Sequence, residues 1–105
     1  MTNRSAATVL DALGDPTRRA VLELLRSRER AVGDIADRLP VSRPAVSQHL
    51  RVLKHAGLVR DRQDGTRRLY RVERRGLEAL RGYLQRYWDT ALAAFAEAAE
   101  REEEA

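Results

Sequence analysis

Cysteine is absent from the chain, which excludes disulfides and thiolate metal sites and leaves no sign of an oxidising compartment. No run of about 18 apolar residues could span a bilayer, and the first ten residues lack the charged-then-apolar pattern of a secretion signal. We therefore expect a soluble, cytoplasmic protein that does not bind membranes. With 105 residues, the chain is long enough for one domain and too short for two.

Common catalytic motifs are also missing from the sequence. The sequence has no cysteine nucleophile, no glycine-rich phosphate loop and no pair of carboxylates spaced for acid–base chemistry. The two histidines, His49 and His55, are six residues apart and lie nearly opposite each other on the helix predicted below, without a third ligand. We predict that the protein is not an enzyme and binds neither a metal nor a cofactor.

Charge is distributed unevenly along the chain. Residues 15–75 carry 16 Lys and Arg against 8 Asp and Glu, whereas residues 76–105 carry 3 against 7. The middle of the chain therefore has a net charge of +8, and the C-terminal segment has a net charge of −4. This asymmetry favours a polyanionic partner for the middle segment and a different kind of partner for the C-terminal one.

The segment 41–59, with the sequence VSRPAVSQHLRVLKHAGLV, predicts a helix whose two ends are well marked. Ser42 can cap the helix by accepting a hydrogen bond from an amide of the first turn, and Pro44 fits that turn because a missing N–H costs nothing there. Gly57 can close the far end in a left-handed turn. The helix is therefore expected over Ser42–Ala56.

This helix has two different faces. At about 100° per residue, Val46, Leu50 and Leu53 lie together and form the face expected in the core. The other face presents amide, hydroxyl and cationic groups and no carboxylate, which is the donor set that base edges and phosphates require. We predict DNA contacts from the following residues of the segment: Ser42, Arg43, Pro44, Ser47, Gln48, His49, Arg51 and Lys54.

Two of these residues have an alternative role. Ser42 can act as a helix cap alone, and His49, on the flank of the buried face, can pack within the unit instead of reaching a phosphate. His55 fits an ordinary surface position near the negative end of the helix dipole better than a phosphate contact. Gln48 suits adenine, and Arg43 or Arg51 suits guanine or phosphate.

Two helices are predicted near the N-terminus. Residues 5–13 have apolar side chains at helical spacing, and Gly14 ends the run. Asp15 and Pro16 then mark the start of a second helix in the segment DPTRRAVLELLRSRER, as N-cap and first helical residue. Its apolar residues fall on one face, so we expect this helix to contribute to the core.

A third helix is predicted in the segment AVGDIADRLP. It begins near Gly33 or Asp34 and is stopped by Pro40, because a proline disfavours helix in the residue before it. Only about three residues separate it from the helix capped by Ser42. A connection this short forces the two helices to cross steeply, as in a helix-turn-helix unit.

A cationic β-hairpin is predicted after Gly57. Strand-forming residues flank Asp64-Gly65, a pair that strongly favours a hairpin turn. The excess of positive charge without matching acids favours contact with a phosphate backbone over a merely solvated surface. The predicted phosphate contacts are Arg60, Arg62, Arg67 and Arg68.

The helical period returns from about residue 75 to residue 101, with four of the five aromatic residues of the chain. This helix carries more apolar surface than a small domain can cover, so with the first helix it is the candidate dimer interface. An aromatic pocket for a small organic effector is the alternative. The predicted interface residues are Val9, Leu10, Leu13, Leu80, Tyr83, Leu84, Tyr87, Trp88, Leu92 and Phe95. The acidic residues 102–105 are expected to form a solvated tail.

The order of these elements resembles the ArsR/SmtB family of bacterial winged helix-turn-helix repressors. The resemblance covers about residues 6–98 and is carried by Asp15-Pro16-Thr17-Arg18 and by the run from Ser47-Gln48-His49-Leu50 to Ala56-Gly57-Leu58-Val59. It implies a homodimer that binds an imperfect DNA palindrome near a promoter and blocks transcription until a signal releases it. The best-known members sense metals through cysteine pairs near the DNA-binding helix or through histidine and acidic ligands on the last helix, and this chain has neither set.

We therefore predict a mainly α-helical fold with a small β-hairpin: a homodimeric winged helix-turn-helix protein with four helices, the hairpin and a fifth helix. In this single domain, residues 5–75 form the DNA-binding core and residues 76–101 form the dimerisation helix. The predicted partners are double-stranded DNA and a second copy of the chain. The alternative function is a protein-interaction module that uses the same fold and its aromatic C-terminal helix.

Overall fold

The computed structural model describes residues 3–104, with side chains from residue 5 onward. The fold is mainly helical with a small antiparallel sheet, which confirms the predicted class. The second and fourth helices pack against each other. None of the helices in this part of the chain has both the length and the apolar character that a membrane span requires. In chain order the elements are α1 (Asn3–Leu13), α2 (Pro16–Leu25), β1 (Arg30–Ala31), α3 (Val32–Arg38), α4 (Arg43–His55), β2 (Val59–Asp64), β3 (Arg67–Val72) and α5 (Arg74–Glu104).

Both ends of α4 form as predicted. The Ser42 hydroxyl accepts a hydrogen bond of 3.3 Å from the Ala45 amide. Gly57 adopts the left-handed conformation at φ +75°, and its amide donates to the carbonyl of Lys54 at 3.0 Å. The amide of Leu58 donates to the carbonyl of Leu53 in α4 at 2.9 Å, which completes a Schellman motif. The chain therefore leaves α4 abruptly and enters β2 directly.

Helix α2 begins as predicted but ends earlier than its segment. The Asp15 carboxylate accepts hydrogen bonds from the amides of Thr17 at 2.7 Å and Arg18 at 3.1 Å. The amide of Arg18, followed by that of Thr17, holds the pKa of Asp15 below its usual value. The helix stops at Leu25, and the remaining residues of the segment lead into a strand.

The short strand β1 was not predicted, so the sheet has three strands instead of two. Arg30 pairs with Tyr70 and Ala31 pairs with Leu69, which gives the strand order β1-β3-β2. A strand of two residues is too short to show an alternating pattern in the sequence. Its position depends on tertiary contacts made by the side chain of its first residue.

Arg30 is buried and joins the end of α2 to the start of α3. Its Nε donates to the carbonyl of Leu24 at 2.9 Å, and its terminal nitrogen donates to the Asp34 carboxylate at 2.7 Å. The Arg30 hydrogen bond is the main reason why the pKa of Asp34 is lowered. The buried guanidinium of Arg30 therefore has hydrogen-bond partners within the protein in place of water.

The hairpin of β2 and β3 closes at the predicted turn. Asp64 pairs with Arg67, so Gly65 and Thr66 alone form the loop. Gly65 has φ +63° at the first loop position, where a type II′ turn requires glycine. The two strands and their turn are called the wing below.

The core lies between the helices and the base of the wing, and α4 contributes its whole apolar face. Val46, Leu50 and Leu53 are each at most 1% exposed, as predicted. Val9 was wrongly assigned to the dimer interface. It is fully buried in the protomer's own core, whereas its neighbour Leu10 is 44% exposed. The two side chains differ in exposure because they lie about 100° apart around α1.

Helix α5 is anchored at its start by a backbone contact that only glycine permits. The amide of Gly76 donates to the carbonyl of Gly57 at 2.8 Å, just after the end of α4. A Cβ at residue 76 would lie 2.6 Å from the carbonyl oxygen of Ala56, closer than real Cβ atoms approach. The sequence did not reveal this contact, because the two glycines are far apart in the chain.

Beyond this anchor, α5 extends well past the rest of the fold. It has 31 residues, which corresponds to about 46 Å at 1.5 Å per residue. The helix continues through Glu102–Glu104, whose side chains are exposed, so the acidic residues expected to be solvated are the helical end of α5; Ala105 lies outside the described residues. The long helix accounts for the elongated dimensions of 69 × 27 × 22 Å.

The contact at Gly76 predicts that Gly76→Ala destabilises the protein. The new methyl group must push α5 away from the end of α4, and we expect a loss of about 1–3 kcal/mol in the free energy of unfolding. Urea denaturation followed by circular dichroism measures this loss.

Gly82→Ala is the matched control in the same helix. A Cβ there meets no atom closer than the Arg86 guanidinium at 3.8 Å, so the better helix propensity of alanine should add about 0.5–1 kcal/mol. Equal effects of the two substitutions would show that the close approach does not matter.

Candidate nucleic-acid interface

The exposed face of α4 gathers hydrogen-bond donors on one side of the molecule. Arg51 donates to the side-chain oxygen of Gln48 at 2.9 Å, so an amide and a guanidinium already lie side by side. These are the two groups best suited to adenine and guanine edges. The predicted α4 contact residues that are exposed are Ser42, Arg43, Pro44, Ser47, Gln48, Arg51 and Lys54.

Two predicted contact residues lie partly against their own protomer. His49 is half-buried and lies close enough to the Asp15 cap to lower the pKa of that carboxyl slightly, after the larger effect of the Arg18 amide. This position favours the packing role for His49. The Arg43 guanidinium lies over the first turn of α3, where a Cβ at Gly33 would be 3.0 Å from it. Arg43 must swing away from α3 to reach a base.

The wing arginines are exposed, but acids of the same protomer accompany them. Arg60 lies 3.6 Å from Glu73, and Arg67 lies 3.9 Å from Asp64. The premise that this charge has no matching acids is therefore wrong, because Asp64 lies on β2 of the wing itself and Glu73 directly follows β3. At more than half exposed, both guanidiniums still have donors that face solvent.

A bidentate ion pair ties the wing to the loop before β1. Nε and a terminal nitrogen of Arg62 donate to the two carboxylate oxygens of Glu29 at 2.9 and 2.8 Å. The hydrogen bond from Arg62 is the main cause of the lowered pKa of Glu29, and the same contact raises the pKa of Arg62. The partners are 33 residues apart, so sequence spacing gave no hint of the pair.

Asp61 connects the wing to α4. Its carboxylate lies 2.9 Å from Lys54 Nζ and 2.9 Å from a terminal nitrogen of Arg68, and its side chain is only 9% exposed. The hydrogen bond from Lys54, followed by that from Arg68, outweighs the effect of burial and lowers the pKa of Asp61. Asp61 was not among the predicted functional residues, although strand alternation from the buried Val59 places residue 61 on the inner face of the wing.

A separate apolar surface lies along α5. Its exposed side chains form a stripe that includes Leu77, an apolar residue of this helix that is not among the predicted interface residues. The part of the stripe nearest the core is an open groove of about 540 Å³, lined by Leu77, Leu80, Arg81, Leu84, Gln85, Tyr87 and Trp88. Leu84, Tyr87, Trp88, Leu92 and Phe95 are 48–74% exposed; Leu13, Leu80 and Tyr83 are partly buried in the protomer. In residues 3–104, no three histidine or acidic side chains meet in a group that could hold a metal ion.

Comparison with known proteins gives consistent matches to regulators. The family model described as "Bacterial regulatory protein, arsR family" matches residues 15–61, which include α2, the β1–α3–α4 segment and the start of the wing. HTH-type transcriptional regulator Rv2034 of Mycobacterium tuberculosis is 54% identical over 96 residues, which cover 91% of this chain and 90% of that protein.

Two further relatives extend the comparison. Transcriptional repressor SdpR of Bacillus subtilis is 42% identical over 57 residues, which cover 54% of this chain and 63% of that protein. The homodimeric winged helix-turn-helix DNA-binding domain of Mb0332 from Mycobacterium bovis, solved by NMR, has a TM-score of 0.65 and 35% identity. That match covers 85% of this chain and 82% of the Mb0332 fragment.

The lowered pKa of Asp61 predicts a pH-dependent effect of Asp61→Asn. At neutral pH the variant should unfold about 1 kcal/mol more easily, because two ion pairs lose their charge attraction. Since the folded pKa lies below the unfolded value of about 3.9, this contribution is present above the unfolded pKa and is lost as pH falls through the folded pKa. Urea unfolding at a series of pH values should therefore show that the difference in free energy of unfolding between wild type and Asp61→Asn becomes smaller in acid.

Asp64→Asn removes the same charge from the same strand and serves as its control. The Asp64 side chain is 51% exposed and lies 3.9 Å from Arg67, so we expect almost no change in stability at any pH. If the difference in free energy of unfolding between wild type and Asp61→Asn stays constant down to a pH below the folded pKa of Asp61, the prediction is contradicted.

Proposed function

The chain belongs to the arsR family of bacterial regulatory proteins and is a transcriptional regulator, and from that premise we propose that it is a dimeric repressor. It binds a palindromic operator through α4, the recognition helix, while the wing follows the phosphate backbone. Its place of action is the bacterial cytoplasm, where the chromosome lies. Family and relatives are named as regulators, and none of those described above is named as an enzyme.

The observation that carries this proposal is the exposed donor face of the recognition helix. Its apolar side is locked in the core, so the opposite side must face outward. That side presents Gln48 and Arg51 as a hydrogen-bonded pair and contains no carboxylate of α4. An α-helix fits the major groove, where these two side chains can distinguish bases.

Dimerisation through α5 supports the use of a palindrome. A stripe of leucines and aromatic residues with exposed fractions up to 74% is an apolar surface of the kind that marks a protein–protein contact. A second copy of the chain supplies an identical apolar stripe that could cover it. The homodimeric state of the Mb0332 domain, which shares the fold, also favours this partner. A twofold axis would place the recognition helices about 34 Å apart, one turn of DNA. Residues 5–75 would then form the DNA-binding core and 76–101 the dimerisation helix.

The groove on α5 is also the candidate site for an inducing signal. Its lining is mostly apolar and aromatic and belongs to the surface that the second copy would cover. A small organic effector seated there would compete with the partner helix and shift the protein toward monomers. This relation between dimerisation and release needs no metal, in keeping with a sequence without cysteine.

DNA binding is tested by variants of the two proposed contact types. Arg51→Ala or Gln48→Ala should cost on the order of 1–3 kcal/mol on an operator selected from random duplexes and should relax base preference at one position. Arg67→Ala should weaken all duplexes alike and lower the salt slope by about 1. Fluorescence anisotropy at several salt concentrations measures both effects.

The same titration distinguishes the alternative function. A steep salt dependence together with a large operator-to-random ratio supports a sequence-specific regulator. Unchanged affinity of the Arg51 and Gln48 variants would overturn the assignment of the recognition face. A chain that ignores every duplex at low salt and instead binds a protein partner would favour the interaction module.

Dimerisation is tested by Leu84→Glu, which places a charge in the middle of the apolar stripe. We expect the dimer to dissociate about 100-fold more readily, because the new carboxylate would be buried without a partner. Sedimentation equilibrium measures this change, and the emission of Trp88, 60% exposed in the protomer, should shift to longer wavelength on dissociation.

Ala93→Glu introduces the same charge on the opposite, exposed side of α5. It should leave the dimer intact, because residue 93 lies about 180° from Leu84 around the helix. Equal dissociation of the two variants, or a wild-type protein that is monomeric at every concentration, would refute the proposed interface.

A further inference from the structure

We propose that Asp61 is a positioning residue that holds the recognition helix and the wing in one relative orientation and thereby sets the operator specificity of the protein. This inference rests on the proposed function. Asp61 itself would contact no base. It would act through the two cations that it holds, Lys54 and Arg68.

The geometry joins three elements at one carboxylate. Asp61 lies on β2, Lys54 lies in the last turn of α4, and Arg68 lies on β3. One carboxylate oxygen is 2.9 Å from Lys54 Nζ, and the other is 2.9 Å from the Arg68 guanidinium. Each oxygen therefore fixes one cation, and the two cations are fixed relative to each other.

The burial of the three side chains shows which of them can reach DNA. Asp61 is 9% exposed, whereas Lys54 and Arg68 are 57% and 51% exposed. An ammonium has three N–H donors and a guanidinium has five, so each cation keeps donors for phosphate oxygens after binding Asp61. The carboxylate thus orients the two donors without occupying the outward surface.

The charge of Asp61 and its geometry have different effects on DNA binding. A carboxylate beside the DNA surface repels every duplex alike, so it lowers all affinities and leaves their ratio unchanged. Fixed placement of Lys54 and Arg68 favours a duplex whose phosphates match both positions. This placement is therefore the effect that increases the ratio of operator affinity to the affinity for other DNA.

The other acids at the wing lack this combination. Glu73 and Asp64 pair with wing arginines at 3.6 and 3.9 Å, and Glu29 joins the wing to the loop before β1. In the part of the chain that the structure describes, Asp61 is the acid that forms ion pairs with both α4 and the wing. This makes Asp64, on the same strand, a charge-matched control.

The test compares Asp61→Asn with Asp64→Asn in the full chain. An operator is first selected from random duplexes with the wild-type protein, and its affinity is then measured against a scrambled duplex at several salt concentrations. Both variants gain one positive charge, so both should bind scrambled DNA somewhat more tightly. The operator-to-scrambled ratio should fall about tenfold for Asp61→Asn and stay within about twofold of wild type for Asp64→Asn.

A mutant cycle separates positioning from a general loss of structure. In a protein that already carries Lys54→Gln and Arg68→Gln, Asp61 has no cations to hold, so adding Asp61→Asn should leave the ratio unchanged. A further fall in that background would mean that Asp61 acts by another route and would overturn the proposal. Circular dichroism at the assay temperature confirms that each variant is folded.

The outcomes distinguish this inference from the proposed function. If the wild-type protein prefers its operator and the two single variants keep the same ratio, the role of Asp61 is overturned and the repressor proposal stands. If the wild-type protein shows no preference for any selected duplex, the proposed function fails, and the inference fails with it.

Discussion

The burial of one face of α4 is the constraint on which the other features depend. Val46, Leu50 and Leu53 lie in the core with almost no exposed surface, so the helix cannot rotate without exposing apolar area. The Schellman turn at Gly57 and the close approach of Gly76 then fix where α4 ends and where α5 begins. The donor face of α4 points outward because the opposite, apolar face is buried in the core.

Electrostatics in the wing are more balanced than the net charge suggests. The basic middle of the chain folds so that acids from the loop before β1, from β2 and from the residue between β3 and α5 lie beside wing arginines. Exposed pairs of this kind add little stability in water. Their larger effect is to orient long side chains, which would otherwise sample many rotamers, and to moderate attraction to non-specific DNA.

In the proposed dimer, the long α5 would connect the DNA-binding surface to a second copy of the chain. Its first turns pack against the end of α4 through Gly76, and its exposed stripe extends far beyond the core. Any change in the pairing of two such helices would therefore move the anchored ends of the two recognition helices relative to each other. This direct attachment offers a physical route from an event on the stripe to the spacing of the DNA-binding faces.

Local signals were sufficient for the helix limits at Asp15, Ser42 and Gly57, for the hairpin turn at Gly65 and for the two faces of α4, because caps, turns and periodicity depend on neighbouring residues. Contacts between segments were out of reach of such signals: the strand at Arg30, the burial of Val9, the Glu29 carboxylate beside the wing and the ion pair of Asp61 with α4. These features depend on which segments meet in three dimensions, and that is decided by packing of the whole core. A pattern within one segment cannot report a partner that another segment supplies, whether the partner is seven residues away, as Lys54 is from Asp61, or 33, as Glu29 is from Arg62.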